Sequence, residues 1–308
     1  AKDNAWGPAH EIGHIHQLAI DWPSSTESSN NLFSNFILYK LGKYCSRGTE
    51  LNLPKAADNR TTNSEGNITG MTLSEAHCVL NRPWCNFGSN YQGENTELHM
   101  RMNWQLWNYY HRCGHKTDFW QRLFKLMREN RTSSNNPGVK QLLFARMASE
   151  AAQEDLTEFF EMWGFFVTVD TQIDQYGSYQ YTVTKEMIEN AKKAMAKYPK
   201  KAKPFYYLED RKKGDIGLDT TPPDVGHYTQ FQRIRPITKD IKGNINGREV
   251  SITNGDEAVA FELREKDANG KLLYFSTFIK FEVPLTVSLT YAKLYAVQAD
   301  GKRILLEE

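Results

Sequence analysis

The sequence predicts an α+β fold in which a mainly helical region is followed by a C-terminal antiparallel β-sandwich. Up to about residue 200, apolar residues recur mostly at the spacing of a helix that buries one face. Beyond residue 205 the chain consists of short alternating runs separated by turn residues. A stretch rich in Pro and Lys, residues 198–204, lies between the two patterns and is typical of a linker. We therefore predict two domains, 1–200 and 205–308.

The helical region begins with two helices on either side of a proline. Pro8 suits the first turn of a helix, and Pro23 disfavours the helical conformation at Trp22, so the first helix is predicted to run up to that point. Residues 24–26, Ser-Ser-Thr, favour the start of a second helix. The apolar residues of this second helix recur at helical spacing and are Leu32, Phe33, Phe36, Ile37 and Leu41.

The remainder of the first region contains a loop, a hairpin and further helices. Residues 46–71 are rich in Asn, Thr, Gly and Ser, and they are predicted to form a long loop. Residues 167–183 alternate on both sides of a Tyr-Gly-Ser turn, which indicates two strands. Gly164 is placed to end the helix that precedes them. The further predicted helices span residues 72–80, 97–113, 116–130, 138–151, 154–163 and 184–198.

The C-terminal region has the pattern of a small antiparallel sandwich. Its runs alternate between apolar and polar residues, as in strands that bury one face. Turn signals such as Asn254-Gly255, Asn269-Gly270 and Asp300-Gly301 separate the runs. Several short strands with turns at this spacing favour a β-sandwich. The predicted strand runs are residues 248–253, 257–265, 271–283, 285–297 and 302–306.

The composition excludes several classes of protein. Lys and Arg number 38 against 37 Asp and Glu, so the formal charge is +1. Because a nucleic-acid-binding protein normally carries a basic face, we expect no nucleic-acid partner. No apolar run approaches the roughly 18 residues of a transmembrane helix, so we expect no membrane span in this chain. With 40% apolar residues the chain can form sizeable cores, and we expect a monomer.

The cysteines bear on the cellular compartment. Cys45, Cys78, Cys85 and Cys113 lie in the first 113 residues, and none of them forms a CxxC pair. Four cysteines allow three disulfide pairings, among which the spacing does not choose. One or two bridges fit a secreted protein, whereas four buried thiols fit a cytosolic one. Of these two interpretations we favour the exported protein.

The residues from His10 to His14, His-Glu-Ile-Gly-His, follow the pattern HExxH. Four residues advance a helix by about 400°, so the two histidines share one face of the first helix. Two neutral imidazoles at this spacing can bind Zn²⁺. Glu11 lies about 80° from the centre of that face, where it can reach a water molecule at the metal without being a ligand. The pattern is that of zinc peptidases, in which the Glu acts as the general base.

A catalytic zinc also needs a third protein ligand and one position open to water. Glu27 follows His14 by thirteen residues and lies in the first turn of the second predicted helix. The turn at Trp22-Pro23 could fold this first turn back over the motif. The alternative is an acidic residue that the helix dipole favours near a helix N-terminus. We interpret Glu27 as a ligand because HExxH precedes it.

Three further residues lie close to the two histidines in the sequence. Gln17 lies about 40° from the ligand face and is predicted to form a hydrogen bond near the site. His16 lies about 220° from that face and is predicted to point away. Gly13, between the two histidines, permits another part of the backbone to approach closely.

Around the motif the sequence reads HEIGHIHQ at residues 10–17, then Trp22-Pro23, then ESSNNLF at residues 27–33. This order resembles the enhancin-like, mucin-degrading zinc metallopeptidases of peptidase family M60. That family carries HExxH, a Gln three residues later, and a Glu followed by an Asn-Asn-type segment. The resemblance covers roughly residues 4–166. Its further matching stretches are residues 103–107, 116–120 and 155–165.

The resemblance implies a zincin-type catalytic domain of the gluzincin kind. It implies an endopeptidase that a bacterium exports and that acts on heavily O-glycosylated proteins such as mucins. Carried over residue by residue, it implies His10, His14 and Glu27 as zinc ligands and Glu11 as the catalytic base. Peptidases of this kind usually have a sheet before the HExxH helix, and here nine residues precede His10. We therefore expect residues 1–200 to lack that upstream sheet and the chain to be part of a longer protein.

Substrate contacts are predicted at four residues. Trp22 and Asn30 lie beside Glu27 in the sequence, and Gln17 lies near the ligand face of the first helix. Trp104 could offer an apolar face to a sugar, because aromatic side chains combine an apolar body with a polar tip. The alternative for Trp104 is a place in the core, since it belongs to a helix with an apolar face.

Two other functions compete with the peptidase. The first is a glycan- or mucin-binding surface protein whose peptidase site is inactive or degenerate. The second is a structural zinc site, but a set of two histidines and one glutamate with an open fourth position fits catalysis better. The intact Glu11 favours the enzyme, because a binding protein needs no general base there.

Overall fold

The computed structural model describes residues 5–17, 20–41, 83–85, 96–200, 205–208 and 234–306. The described residues belong to two compact units, the first ending at residue 200 and the second starting at residue 205. The first unit is mainly helical and contains one β-hairpin, and the second unit is built of antiparallel strands. The predicted α+β class is confirmed. The predicted loop 46–71 and the predicted helix 72–80 lie outside the described residues.

The first helix, α1, spans Trp6–His16 and is shorter than predicted. Gln17 is its C-cap, and the backbone N–H of Ile20 bonds to the carbonyl of Gln17 in the turn that follows. The prediction that this helix continues to Pro23 is wrong. Ile20 and Trp22 are only 1% and 2% exposed, so burial of these apolar side chains outweighs the local preference for a longer helix.

The second predicted helix is divided into two helices. The short helix α2 spans Thr26–Ser29, and α3 spans Asn31–Lys40, with Asn30 between them. Ser25 is the N-cap of α2, although its side chain makes no capping hydrogen bond. This division faces Asn30 and the start of α3 toward α1, where the site described below is formed.

Five further helices lie in the described part of the first unit. They are α4 (Thr96–Trp107), α5 (Phe119–Glu129), α6 (Pro137–Ala152), α7 (Thr157–Met162) and α8 (Lys185–Met195). The chain continues from α4 into a π-helical turn, Asn108–Arg112. The start of α7 is later than predicted because the Asp155 side chain accepts a hydrogen bond from the backbone N–H of Thr157. Gly164 adopts a φ of +74° just after α7, as expected of a residue that ends a helix.

The predicted hairpin is confirmed and is firmly anchored. Strand β1 (Val169–Asp174) pairs with β2 (Ser178–Val183), and Asp174 lies opposite Ser178. Residues 175–177 therefore form the turn. The inner face of the hairpin belongs to a hydrophobic cluster with residues of α6 and α8, namely Ile173, Tyr181 and Val183 with Leu142, Ile188 and Ala191.

The second unit is a β-sandwich of two antiparallel sheets. One sheet has the order β3-β4-β7 and the other has the order β6-β5-β8-β9. Val250 and Ile252 from the first sheet share one hydrophobic core with Phe261 and Leu263 from the second. The strands are β3 (Lys242–Asn246), β4 (Glu249–Thr253), β5 (Ala260–Glu265), β6 (Leu272–Ser276), β7 (Lys280–Glu282), β8 (Ala292–Val297) and β9 (Arg303–Leu305).

Three strand predictions need correction. The predicted run 285–297 is a strand only over Ala292–Val297. The predicted run 271–283 is two strands, β6 and β7, that belong to different sheets. Strand β3 was not predicted at all, because its Gly243 and its two Asn residues obscure the alternation. Gly243 is needed where it stands, since a Cβ atom there would lie 2.5 Å from the Leu294 side chain. Alternation therefore identified the sandwich but not every strand in it.

Two further sequence expectations concern membranes and cysteines. Among the described residues, no helix has both the length and the apolar character needed to cross a bilayer. Of the two described cysteines, Cys85 and Cys113, neither is bonded to the other, which removes the disulfide arrangement that pairs them. Burial raises the pKa of both thiols to about 12, so neither is a reactive thiolate at neutral pH.

Candidate metal centre

Helix α1 presents two imidazoles, and α2 presents a carboxylate toward them. The His10 and His14 rings lie 5.0 Å apart, centroid to centroid, and meet edge to face. Glu27 Oε2 lies 3.6 Å from His10 Nε2 and 3.8 Å from His14 Nε2. The three potential ligand atoms all lie within 4.8 Å of one another. Among the described residues these three form the one such group of His, Cys, Asp and Glu side chains.

Glu27 reaches α1 because the chain reverses after α1. Ser24 has a φ of +80°, a left-handed conformation that sharpens the turn after Pro23. The backbone N–H of Ser24 donates a hydrogen bond to Gln175 Oε1 at 2.7 Å, and Thr26 Oγ1 donates one to Asp21 Oδ1 at 2.7 Å. These contacts fix the segment that immediately precedes Glu27. The expected turn over the motif is therefore present.

Gly13 allows the two segments to meet. A Cβ atom on Gly13 would lie only 2.6 Å from the backbone oxygen of Asn30. Real Cβ atoms do not approach a backbone oxygen so closely, so α1 and the α2–α3 junction can touch only at a glycine. The close approach that the sequence suggested for Gly13 is confirmed.

Asn31 determines which nitrogen of His10 is available to a metal. Asn31 Nδ2 donates to the backbone oxygen of Glu27 at 2.9 Å, and this bond fixes the orientation of the amide. Asn31 Oδ1 then faces His10 Nδ1 at 2.6 Å as an acceptor. His10 must therefore carry its proton on Nδ1, which leaves the lone pair on Nε2. Hydrogen bonds of this kind orient histidine ligands in metal sites.

Asn30 lies against the ligands and is not a surface residue. Its Nδ2 atom lies 3.0 Å from His10 Nε2 and 2.8 Å from His14 Nε2. The Asn30 side chain is 0% exposed, so the prediction of a direct substrate contact is wrong for this structure. An amide nitrogen can only donate, and both imidazoles therefore present Nε2 lone pairs, which are the groups that a metal would use.

The electrostatics of the group couple His10 to Glu27. Interaction with the nearby Glu27 carboxylate is the main cause that raises the pKa of His10, and burial acts in the opposite direction. The same interaction lowers the pKa of Glu27, with a smaller contribution from a hydrogen bond to Tyr176. Each group therefore stabilises the charged form of the other. Such mutual stabilisation is expected where a cation can replace the proton on the imidazole.

The donor set fits zinc, and two of its three ligand separations are close to those of a zinc site. Two imidazoles and one carboxylate are a typical set for a catalytic zinc, which keeps its fourth position for water. With bonds of about 2.0–2.2 Å, tetrahedral coordination separates the ligand atoms by about 3.3–3.5 Å. The distances of 3.6 and 3.8 Å from the Glu27 carboxylate to the two imidazoles need only a small contraction. The side chains of His10 and His14 are 16% and 31% exposed, so an ion there remains accessible.

Glu11 and His16 lie on α1 as the helical geometry predicts. Glu11 is exposed, and its negative charge is near enough to contribute to the raised pKa of His10. His16 packs beside Phe33, with ring centroids 6.1 Å apart, and is not part of the ligand group. The prediction that His16 points away is confirmed.

The other three predicted substrate contacts are buried as well. Trp22 packs against Phe144 with ring centroids 5.4 Å apart, and Trp104 is 8% exposed and stacks on Trp107. Gln17 is 1% exposed, and its Oε1 has no hydrogen-bond partner among the described residues. In this structure none of the three can touch a substrate. They were predicted from their place in the sequence, whereas packing of the core decides their exposure.

One residue of the site carries no signal in the sequence. Tyr176 lies in the hairpin turn, and its hydroxyl donates a hydrogen bond to Glu27 Oε1 at 2.7 Å. The two residues are 149 positions apart, and Tyr-Gly-Ser was interpreted only as a turn. No spacing rule connects such distant residues.

Comparison with known proteins agrees with this geometry. The family model described as peptidase M60, enhancin and enhancin-like, matches residues 1–164, more than half of the chain. The chain belongs to the peptidase M60 family. The M60 C-terminal domain model matches residues 240–305, within the strand-rich unit. The resemblance seen in the sequence is therefore confirmed, and the chain is a member of a metallopeptidase family.

Solved structures and curated proteins add two kinds of relative to this M60 chain. A metallopeptidase from Bacteroides thetaiotaomicron is 57% identical with a TM-score of 0.82, and the match covers 99% of this chain and 50% of that one. A metallopeptidase in complex with Tn antigen gives the same identity and TM-score, with 55% of its chain covered. The TRPM8 channel-associated factor homolog of Xenopus laevis is 28% identical over 171 residues, which are 52% of this chain and 15% of that protein. The M60 chain thus spans about half the length of the solved metallopeptidases.

Proposed function

We propose that the M60 chain is the catalytic part of a zinc-dependent endopeptidase that cleaves O-glycosylated proteins such as mucins. The observation that carries this proposal is the group of His10, His14 and Glu27, whose potential ligand atoms lie within 4.8 Å of one another. Glu11 is exposed on the helix that carries the two histidines. Membership of the M60 metallopeptidase family supports it.

In the proposed site His10, His14 and Glu27 would bind the zinc ion. Zinc bound there supplies a Lewis acid that polarises the scissile carbonyl and makes water more acidic. Asn31 holds the proton of His10 on Nδ1, so that Nε2 stays available as a ligand. Glu27 contributes the negative charge that partly balances a dication. The residues of the chain thus prepare a site with two neutral ligands and one anionic ligand.

Glu11 would act as the general base and then as the general acid. Its carboxylate takes a proton from the attacking water as the water adds to the peptide carbon, and passes the proton to the amine that leaves. Glu11 is exposed and forms no ion pair with a described residue, so it is available for this transfer. Its place next to His10 in the sequence keeps it beside the metal without making it a ligand.

The proposed substrate class rests on a relative. A metallopeptidase that is 57% identical to this chain has been solved in complex with Tn antigen, which supports a glycoprotein substrate. Mucins lie outside cells, so we propose that the enzyme is secreted or displayed on the cell surface. The monomeric state stays a prediction. The competing function, glycan binding with an inactive site, is disfavoured by the intact Glu11.

The test compares Glu11→Gln with Glu189→Gln. Glu189 is an exposed glutamate on α8, so its substitution is a matched control. Wild type and both variants should bind one zinc ion per chain. Cleavage of an O-glycosylated mucin should fall about 10²–10⁴-fold in Glu11→Gln, because general acid–base catalysis contributes about that much. Cleavage should remain at the wild-type rate in the Glu189→Gln control.

Four outcomes would contradict the proposal in whole or in part. Undiminished cleavage by Glu11→Gln would remove Glu11 as the base. Wild-type protein without bound zinc after exposure to the metal would remove the metal site. Mucin binding by zinc-loaded wild type without any cleavage would favour the competing glycan-binding function. Equal cleavage of the mucin after enzymatic removal of its O-glycans would contradict the proposed substrate class alone.

A further inference from the structure

The hairpin turn between β1 and β2 contacts the proposed metal site at Tyr176. The Tyr176 hydroxyl donates to Glu27 Oε1 at 2.7 Å, while Glu27 Oε2 faces the two imidazoles. The two oxygens of one carboxylate thus have different partners. One oxygen is held by a phenol, and the other is directed toward His10 and His14.

The backbone holds Tyr176 in place. Tyr176 has a φ of +54°, which is uncommon for a residue other than glycine and persists only where neighbouring contacts enforce it. Those contacts are present, because the backbone N–H of Gln175 bonds to the carbonyl of Gly177 at 2.8 Å. The hairpin behind the turn is anchored in the hydrophobic core by Ile173 and Tyr181.

The same turn also forms a hydrogen bond to the segment that precedes Glu27. Gln175 is 5% exposed, and its Oε1 accepts the hydrogen bond from the backbone N–H of Ser24 at 2.7 Å. Two successive residues of the turn therefore contact the chain at Ser24 and at Glu27. A rigid hairpin thereby fixes both the backbone before α2 and the carboxylate on α2.

We propose that Tyr176 is a positioning residue that orients the Glu27 carboxylate for metal binding. The inference rests on the proposed function, because it assumes that Glu27 is a ligand. Hydrogen bonds to a ligating carboxylate fix its orientation, and loss of such a bond typically lowers metal affinity about 10–100-fold. Without the phenol, the carboxylate can rotate about its last bond, and part of the binding free energy is lost in ordering it.

The test compares Tyr176→Phe with Tyr179→Phe in the full chain. Tyr179 lies on β2 of the same hairpin, and its hydroxyl makes no hydrogen bond to a described residue, so the control removes an equal group from the same element. Zinc affinity is measured by competition with a chromophoric chelator. The visible absorption of the cobalt-loaded protein reports the arrangement of the ligands, and the melting temperature of the metal-free protein reports stability.

We expect Tyr176→Phe to lower zinc affinity at least 10-fold and to change the cobalt spectrum. Tyr179→Phe should match wild type in both measurements. The Tyr176 side chain is 76% exposed, so Tyr176→Phe should leave the melting temperature of the metal-free protein unchanged. If Tyr176→Phe has the same zinc affinity and cobalt spectrum as wild type, the role of Tyr176 is overturned. The proposed metal site is then unaffected.

Two other results would also count against the positioning role of Tyr176. If Tyr176→Phe lowers the melting temperature of the metal-free protein along with zinc affinity, the residue is structural and the positioning role is overturned. If wild type itself binds no zinc, the proposed function fails and this inference fails with it. The zinc affinity of wild type therefore distinguishes the two cases: without zinc binding the proposed metal site is wrong, and with zinc binding only the role of Tyr176 is tested.

Discussion

At the scale of single residues, the proposed metal site depends on amides as much as on ligands. Asn31 bonds to the backbone of Glu27 through its nitrogen and to His10 Nδ1 through its oxygen. It thereby joins one ligand to the segment that carries another. Because an amide has one accepting and one donating end, the first bond dictates the second. The tautomer of His10 follows from this single side chain.

Replacement of Asn31 by Leu should therefore weaken metal binding without removing a ligand. We expect zinc affinity to fall about 10–100-fold, since His10 loses the bond that holds its proton on Nδ1. Chelator competition measures the affinity, and ¹⁵N NMR of the metal-free imidazole measures the tautomer. Asn35→Leu, one turn further along α3, is the control and should keep both values. An unchanged tautomer in Asn31→Leu would contradict the argument.

At the scale of elements, the site is a contact between α1 and the α2–α3 junction. The contact exists because Gly13 has no side chain where Asn30 presents its backbone oxygen. The second element that matters is the β1–β2 hairpin, whose Gln175 holds the backbone of Ser24 just before α2. The ligands themselves lie on short helices, and the neighbouring elements give them a fixed geometry.

Gly13→Ala should separate α1 from the junction. The added Cβ atom would lie 2.6 Å from a backbone oxygen that cannot rotate away, and such overpacking costs about 1–3 kcal/mol of unfolding free energy. We also expect weaker zinc binding, because the imidazoles move relative to Glu27. Gly7→Ala on the same helix is the control, since a Cβ atom there meets nothing within 4 Å. It should leave stability unchanged or raise it, because alanine favours helix more than glycine.

Unfolding of the first unit can be followed by tryptophan fluorescence. All seven Trp residues of the chain lie at or before position 163, within this unit. A Gly13→Ala variant with the stability and zinc affinity of Gly7→Ala would show that α1 and the junction do not meet as closely as described.

At the scale of the whole molecule, the two units have different kinds of core. The first unit has a core rich in aromatic side chains, whereas the sandwich contains a fully buried carboxylate, Glu262, which is 0% exposed. Arg264 Nε and Arg303 Nε each lie 2.5 Å from Glu262 Oε2. Burial by itself raises the pKa of Glu262, but the bonds from the two guanidinium groups outweigh it and hold the pKa below its usual value.

Protonation of Glu262 in acid should therefore lower the unfolding free energy of the sandwich. Its folded-state pKa lies below the ordinary value of 4.5, so its contribution is present above pH 4.5 and is lost as the pH falls through the folded-state pKa. Glu262→Gln should lower the unfolding free energy by about 3–5 kcal/mol at pH 7, because two partly buried guanidinium groups lose their fully buried counter-charge. The difference between wild type and variant should shrink as the pH falls below 4.5.

Unfolding of both units changes the circular dichroism, whereas tryptophan fluorescence reports only the first unit, since the second unit contains no Trp. The transition that is seen by circular dichroism but not by fluorescence therefore measures the stability of the sandwich. Glu265→Gln, on the same strand, is the control and should change the unfolding free energy by less than about 0.5 kcal/mol. A difference between wild type and Glu262→Gln that stays constant from pH 7 to pH 3 would contradict the assignment.

Much of the architecture followed from local patterns. Helical spacing and the alternation around Tyr176 predicted most helices and the hairpin, because each pattern reports the side that an element buries. The end of α1 was not predictable, since burial of Ile20 and of Trp22, which packs against the distant Phe144, outweighs the local preference for a longer helix. The interpretation of Trp22, Asn30 and Trp104 as substrate contacts failed for the same reason.

The sequence by itself determined the chemistry of the site: two imidazoles one helical turn apart, a carboxylate beside them and a second carboxylate within reach. Spacing along one helix is local, and the order of the motif residues identified the family. The tertiary structure alone decided which side chains hold that chemistry in place. Asn31 contacts His10 across 21 positions, Gly13 meets Asn30 across 17, and Tyr176 contacts Glu27 across 149. Contacts over such separations arise only when the chain is folded.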